Sequence, residues 1–131
     1  MFTILKMLFM HCIGDYSLQG EFLSSAKRKS FWITNSNEKI NYLEHYVILF
    51  IHAYIWSFCI NIPLFHMLSP DRITISIITN CFIHMIIDNL KANRKAITLL
   101  TDQLLHLLQI VITYLLLVVI LYIRYILICI Y

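Results

Sequence analysis

The chain has 131 residues, of which 60% are hydrophobic and 13% charged, with a formal net charge of +3 and a mean hydropathy of +0.78. Soluble domains sit nearer half apolar and a quarter charged, and so short a chain has too little interior to hide this much apolar surface, which argues against a soluble enzyme. Eight Tyr, eight Phe and two Trp exclude a disordered chain, leaving a small integral membrane protein with one domain over residues 1–131.

A membrane helix needs about 20 mostly apolar residues. Four segments qualify, so an all-α, four-helix transmembrane bundle is expected. The first runs over about 2–23, and a polar stretch from Ser24 to Lys39 follows it. Its start is not clearly basic and no small-residue cleavage site follows, so a membrane helix is expected rather than a signal peptide. The second covers about 41–62 and ends before Pro63. The third covers about 69–90 and opens on Ser69-Pro70, with Pro in the first turn of the helix. The run Lys91-Ala-Asn-Arg94-Lys95 closes it. The fourth covers about 98–130, longer than a bilayer requires, so it must tilt, bend or protrude. Cys12, Cys59, Cys81 and Cys129 lie in apolar stretches without metal-ligand spacing and read as reduced, small hydrophobes.

Basic loops set orientation. Lys27, Arg28, Lys29 and Lys39 follow the first helix, and Lys91, Arg94 and Lys95 follow the third. The loop between the second and third has only Arg72, beside Asp71. The two basic loops are therefore expected on the cytoplasmic side of a multi-pass protein of the cell membrane, with Lys6 and Arg124 snorkelling to the outer interface.

Ionisable groups inside membrane spans are costly, usually face the bundle interior and usually have a role. Here they recur with one spacing. His11 and Asp15, His84 and Asp88, and Asp102 and His106 are each four residues apart, so each pair shares a helix face. Gln19 extends the first face by a turn, and Gln103 neighbours the third pair. The second helix offers His45 and His52, a heptad apart. Counted from the basic loops, all of these fall in the cytoplasmic half. Three carboxylates at one depth repel unless protonated or neutralised by cations. His nitrogens and carboxylate oxygens are ordinary ligands for zinc and also suit manganese or iron. One or two divalent ions are therefore expected on His11, Asp15, His84, Asp88, Asp102, His106 and a histidine of the second helix. His66, at the opposite end, reads as interfacial.

The order His11-x-x-Gly14-Asp15-x-x-x-Gln19, Ala26-Lys27-x-Lys29, a His in an aromatic-rich second helix, His84-x-x-x-Asp88-x-x-Lys91 and Asp102-Gln103-x-x-His106 resembles an uncharacterised family of small bacterial and phage membrane proteins, the domain of unknown function 3307. The resemblance spans nearly the whole chain and implies four or so membrane helices. It supplies no activity. The segment Leu49-Phe-Ile-His52-Ala-Tyr-Ile-Trp56 fits the family's pattern better than the surroundings of His45, which favours His52 as the ligand.

His-x-x-x-Asp pairs on helices also hold zinc in the all-helical zinc-dependent phospholipases C and their nuclease relatives, an analogy of chemistry alone. The expected function is metal-dependent hydrolysis of a lipid or other phosphoester, with a metal-bound water as nucleophile. Asp15, Asp88 and Asp102 would act in catalysis as well as ligation, Gln19 and Gln103 would orient ligands or bind substrate, and Lys91, with Lys27 second to it, would meet a phosphate at the cytoplasmic rim. The expected partners are the bilayer and a phospholipid or phosphoester, not nucleic acid. The alternative is a non-enzymatic ion, proton or metal transporter, or a phage membrane factor acting on the host.

Overall fold

A computed structural model describes residues 2–35 and 43–130, the side chains of 34, 35, 124 and 127–130 excepted. Lys39, the expected start of the second helix near Asn41, and the side chains of Arg124 and Cys129 lie outside the described residues. Every described element is helical: α1 (Phe2–Cys12), a π-turn (Ile13–Ser17), α2 (Gly20–Ala26), α3 (Lys29–Asn35), α4 (Glu44–Asn61), a 3-10 turn (Ile62–Leu64), α5 (Pro70–Ala92) and α6 (Leu99–Ile130).

The long helices start and stop where local chemistry requires. Ser69 is extended (ψ 153°) ahead of Pro70, whose fixed φ and missing N–H suit a first helical residue. The 3-10 turn containing Pro63 follows α4, because proline cannot continue the i→i−4 ladder. Lys95, with φ 51°, turns the chain after α5. Three helical stretches, Glu44–Leu64, Pro70–Ala92 and Leu99–Ile123, are long and apolar enough to cross a membrane.

The first segment differs from the single helix expected over 2–23. α1 has 11 residues, about 16 Å of helix, roughly half the hydrocarbon thickness. It then widens into the π-turn, closed by Leu18 N donating to Ile13 O (2.9 Å). Gly20 takes φ +58°, a conformation open to glycine at little cost, and redirects α2. The widened turn has a packing reason. A Cβ on Gly14 would lie 3.2 Å from Trp56 Cα and 3.4 Å from Cys59 Cβ, so any other residue would force this backbone and α4 apart by a few tenths of an ångström.

α4 is the central helix, packing on α1, α2 and α5, while α6 lies against α1 and α5. Its residues Trp56 and Ile60 join Met7, Leu64, Ile110 and Leu117 in a buried apolar core. Outward faces are also apolar: Phe50, Tyr54, Ile75, Phe82, Leu104 and Leu115 are all exposed. Contiguous exposed apolar surface on this scale is rare on soluble monomers.

The two ends of the bundle are chemically distinct. Asn93, capping α5, donates through Nδ2 to Lys27 O (3.2 Å), and its Oδ1 accepts from Lys29 N (2.7 Å). The basic stretches after α2 and after α5 therefore share one end. Thr3 lies against Met67 at the other.

Candidate functional site

The π-turn aims Asp15 inward, and α4, α5 and α6 deliver His52, His84 with Asp88, and Asp102 with His106 to the same level. All six side chains are buried. Asp88 is the hub. His52 Nε2 lies 3.4 Å from its Oδ2, His84 Nε2 4.0 Å from Oδ2, and His106 Nε2 3.7 Å from Oδ1. His52 Nε2 is also 3.4 Å from Asp15 Oδ1 and 3.3 Å from His84 Nε2. His106 Nε2 is 3.5 Å from Asp102 Oδ1.

Two lysines reach the same carboxylates. Lys27 Nζ donates to Asp88 Oδ2 at 2.8 Å and Lys91 Nζ to Asp102 Oδ2 at 2.6 Å. Lys27 is buried, with its backbone held by Asn93, while 30% of the Lys91 side chain is exposed, so the cluster meets the surroundings at Lys91. Gln103 Nε2 donates to Asp15 Oδ2 (2.9 Å) and Asp102 Oδ2 (3.1 Å), tying the first carboxylate to the third. With its amide turned to satisfy both neighbours, Gln19 donates to Asp15 O and accepts from Lys27 Nζ.

His11 is set apart by its bonding. Trp56 Nε1 donates to His11 Nδ1 at 2.8 Å, and the His11 ring centroid is 6.1 Å from that of His106. Trp56 also stacks on His84 (4.2 Å), which stacks on His106 (4.1 Å), so one indole fixes the imidazole planes. His45 is buried one heptad before His52, with its ring over Tyr46.

The separations carry chemical information. The lysine–carboxylate contacts have the 2.6–2.8 Å of charge-assisted hydrogen bonds. The shorter imidazole–imidazole and imidazole–carboxylate separations run instead from 3.3 to 3.5 Å. Ligand atoms bound tetrahedrally at about 2.0–2.1 Å from a zinc ion lie about 3.3–3.4 Å from one another. Two overlapping sets, Asp15–His52–His84 and His84–Asp88–His106, bring one ligand atom from each residue within 4.8 Å of the others. Asp102 Oδ1 and His106 Nε2 are buried without a hydrogen-bond partner. The donor set fits a divalent ion by type, number and spacing. Charge agrees: three carboxylates face two ammonium groups, leaving one negative charge when the imidazoles are neutral.

A second polar network, not anticipated from the sequence, continues from this cluster towards the opposite end. Gln109 Nε2 donates to Asn80 O and Oδ1 (2.9 and 2.8 Å), Thr113 Oγ1 to Asn80 Oδ1 (3.1 Å), Asn80 Nδ2 to Ser76 O (3.0 Å) and Ser76 Oγ to Asn61 Oδ1 (2.7 Å). Its sequence signal is the continuation of the His84–Asp88 spacing: Arg72, Ser76, Asn80, His84 and Asp88 follow one another at intervals of four along α5.

Residues 3–128 match the family described as "Protein of unknown function (DUF3307)". The chain belongs to this family. Membership covers α1 to nearly the end of α6, and therefore every residue of both polar networks. No curated protein and no solved structure matches the chain.

Proposed function

We propose that this family member is an integral, multi-pass protein of the cell membrane, a bundle of four helical segments in which α1, the π-turn and α2 act as the first. Its buried His/Asp cluster holds one or two divalent cations, zinc foremost, with manganese or iron as alternatives, and hydrolyses a phospholipid or another phosphoester. The observation carrying this reading is the contrast in spacing between the lysine contacts and the pairs His52–Asp15, His52–Asp88, His52–His84 and His106–Asp102. Carboxylates that meet lysines do so at hydrogen-bond distance, whereas imidazoles and carboxylates meet at the edge lengths of a metal's coordination shell.

In this reading Asp15, His52, His84, Asp88, Asp102 and His106 are the ligands. When bound there, a divalent cation would supply Lewis acidity to a water and to the phosphoester. Gln103 orients Asp15 and Asp102, and Gln19 orients Lys27. Lys91, the exposed member, is the group that meets an incoming phosphate by exchanging its contact with Asp102 for one with substrate. Lys27 balances charge on Asp88 and is too buried for that task. The basic end lies on the cytoplasmic side by the asymmetry of loop charge.

The test is elemental analysis of detergent-purified protein beside hydrolysis of phospholipid vesicles. One to two bound ions per chain, lost together with activity in Asp15→Asn, is the expected result. Metal-free wild-type protein would defeat the reading.

A specific observation favours a second reading. The α5 ladder from Arg72 to Asp88 follows 16 residues of helix, about 24 Å and most of the span, and polar side chains on α4 and α6 meet it at Ser76 and Asn80. A proton or ion pathway has that layout, and one proton shared among the imidazoles balances the cluster without metal. Proton flux into vesicles from metal-free protein, blocked by Asn80→Leu, would favour it over hydrolysis.

A further inference from the structure

Between α5 and α6 runs a groove of about 460 Å³, lined mostly by apolar side chains including Ile83, Ile87, Leu108, Ile112 and Leu116. Arg72 is the one charged residue in its lining. It is exposed in the first turn of α5, at the end opposite Lys27 and Lys91. Those two lysines are spent on buried carboxylates, whereas among the described residues no carboxylate pairs with Arg72, its neighbour Asp71 included. From Arg72 to Ile87 the groove follows 15 residues of helix, about 22 Å. One leaflet of hydrocarbon is about 15 Å deep, so the tail of a lipid entering from the Arg72 side fits within its length.

We propose that this groove is a phospholipid-binding site, with the lipid phosphate on Arg72 at the membrane surface and one acyl chain along α5 and α6. Charge decides the class of ligand. A lone unpaired guanidinium at the mouth of an apolar channel matches an anionic headgroup above a hydrocarbon tail, because it can take two phosphate oxygens at once. Of the polar residues lining the groove, Ser76, Asn80, Gln109 and Thr113 donate within the protein, so among the described contacts these four present the tail with few unmet donors. The proposal rests on the membrane-spanning reading but not on the metal.

Native mass spectrometry of protein purified in neutral detergent tests it, titrated with phosphatidylglycerol and phosphatidylcholine of equal chain length. A one-to-one adduct is expected, with the anionic lipid held about fivefold more tightly. Arg72→Gln, at an exposed position, should erase that preference. Thr79→Trp, which fills the groove, should weaken both lipids about tenfold. Asp15→Asn, which strands no lysine among the described residues, should lose metal while the preference for the anionic lipid persists, which separates this proposal from the metal reading. A chain extracted without detergent would overturn the membrane reading before lipid is added. The lipid site is overturned by the absence of an adduct, by an adduct indifferent to Arg72→Gln and Thr79→Trp, or by a dimer that Thr79→Trp abolishes, since a second copy would then be the occupant.

Discussion

Asp15 is the carboxylate on which the metal question turns. Asp88 and Asp102 each carry a lysine, so neutralising either one removes an ammonium's partner whether or not metal binds, and for Asp88 that ammonium, on Lys27, is buried. Among the described residues no lysine pairs with Asp15; it faces His52 and accepts from Gln103. Asp15→Asn keeps that acceptor and removes only the charge. With a bound cation, metal content should fall at least tenfold, and a chelator should lower the melting temperature of wild type but not of the variant. In a purely structural cluster the variant should differ from wild type by less than about 1 kcal/mol, because it relieves like-charge repulsion. Lys27→Met makes the complementary case. It leaves the Asp88 charge buried without its ammonium and should destabilise the protein by about 3 kcal/mol, read by denaturation in mixed micelles. Added divalent cation should restore part of that loss.

At the scale of elements, the decisive feature is the contact between the π-turn and α4. Gly14 lets the turn approach the Trp56 backbone to a distance at which a methyl group would be crowded. Gly14→Ala should push the turn outward by a few tenths of an ångström and cost about 1–3 kcal/mol, the range for overpacking a filled site. Because Asp15 is the next residue, its carboxylate shifts as well. A ligand displaced by a fraction of an ångström lowers turnover far more than it lowers helix content. On the proposed metal-hydrolase reading, activity should therefore drop at least tenfold in a variant whose circular dichroism matches wild type. Equal activity in Gly14→Ala would show that the close approach is packing alone. Trp56 has a comparable role: it donates to His11 and stacks on His84, so it positions the imidazoles without touching a carboxylate in the contacts described.

For the whole molecule, the shared location of the two basic stretches gives a sidedness that can be measured. In a background with all four cysteines replaced, Ser69→Cys should react with an impermeant maleimide on intact cells, and Ser30→Cys only after permeabilisation. The reverse pattern would invert the bundle and put the cluster near the outer face.

Periodicity and composition determined the helices and the level of the site. Apolar runs of membrane length placed α4, α5 and α6 to within a few residues of 41–62, 69–90 and 98–130, because runs of that length bounded by Pro or a basic cluster have few other solutions. The spacing of four placed His84 with Asp88 and Asp102 with His106 on single faces, because α-helical geometry is fixed locally. That rule stops at the first segment. His11 and Asp15 are four apart, but the π-turn opens between them, so Asp15 faces His52 while His11, buried beside the cluster with its ring 6.1 Å from that of His106, has its Nδ1 taken by Trp56. No local signal distinguishes those two outcomes, since they depend on how near α4 lies. The lysine partners were likewise beyond sequence reasoning. Lys27 and Asp88 are 61 residues apart and meet through packing of α2 and α5 on α4, with Asn93 tying the end of α2 to the end of α5. Which carboxylates are already neutralised, and which remain for a cation, is therefore a property of packing between helices.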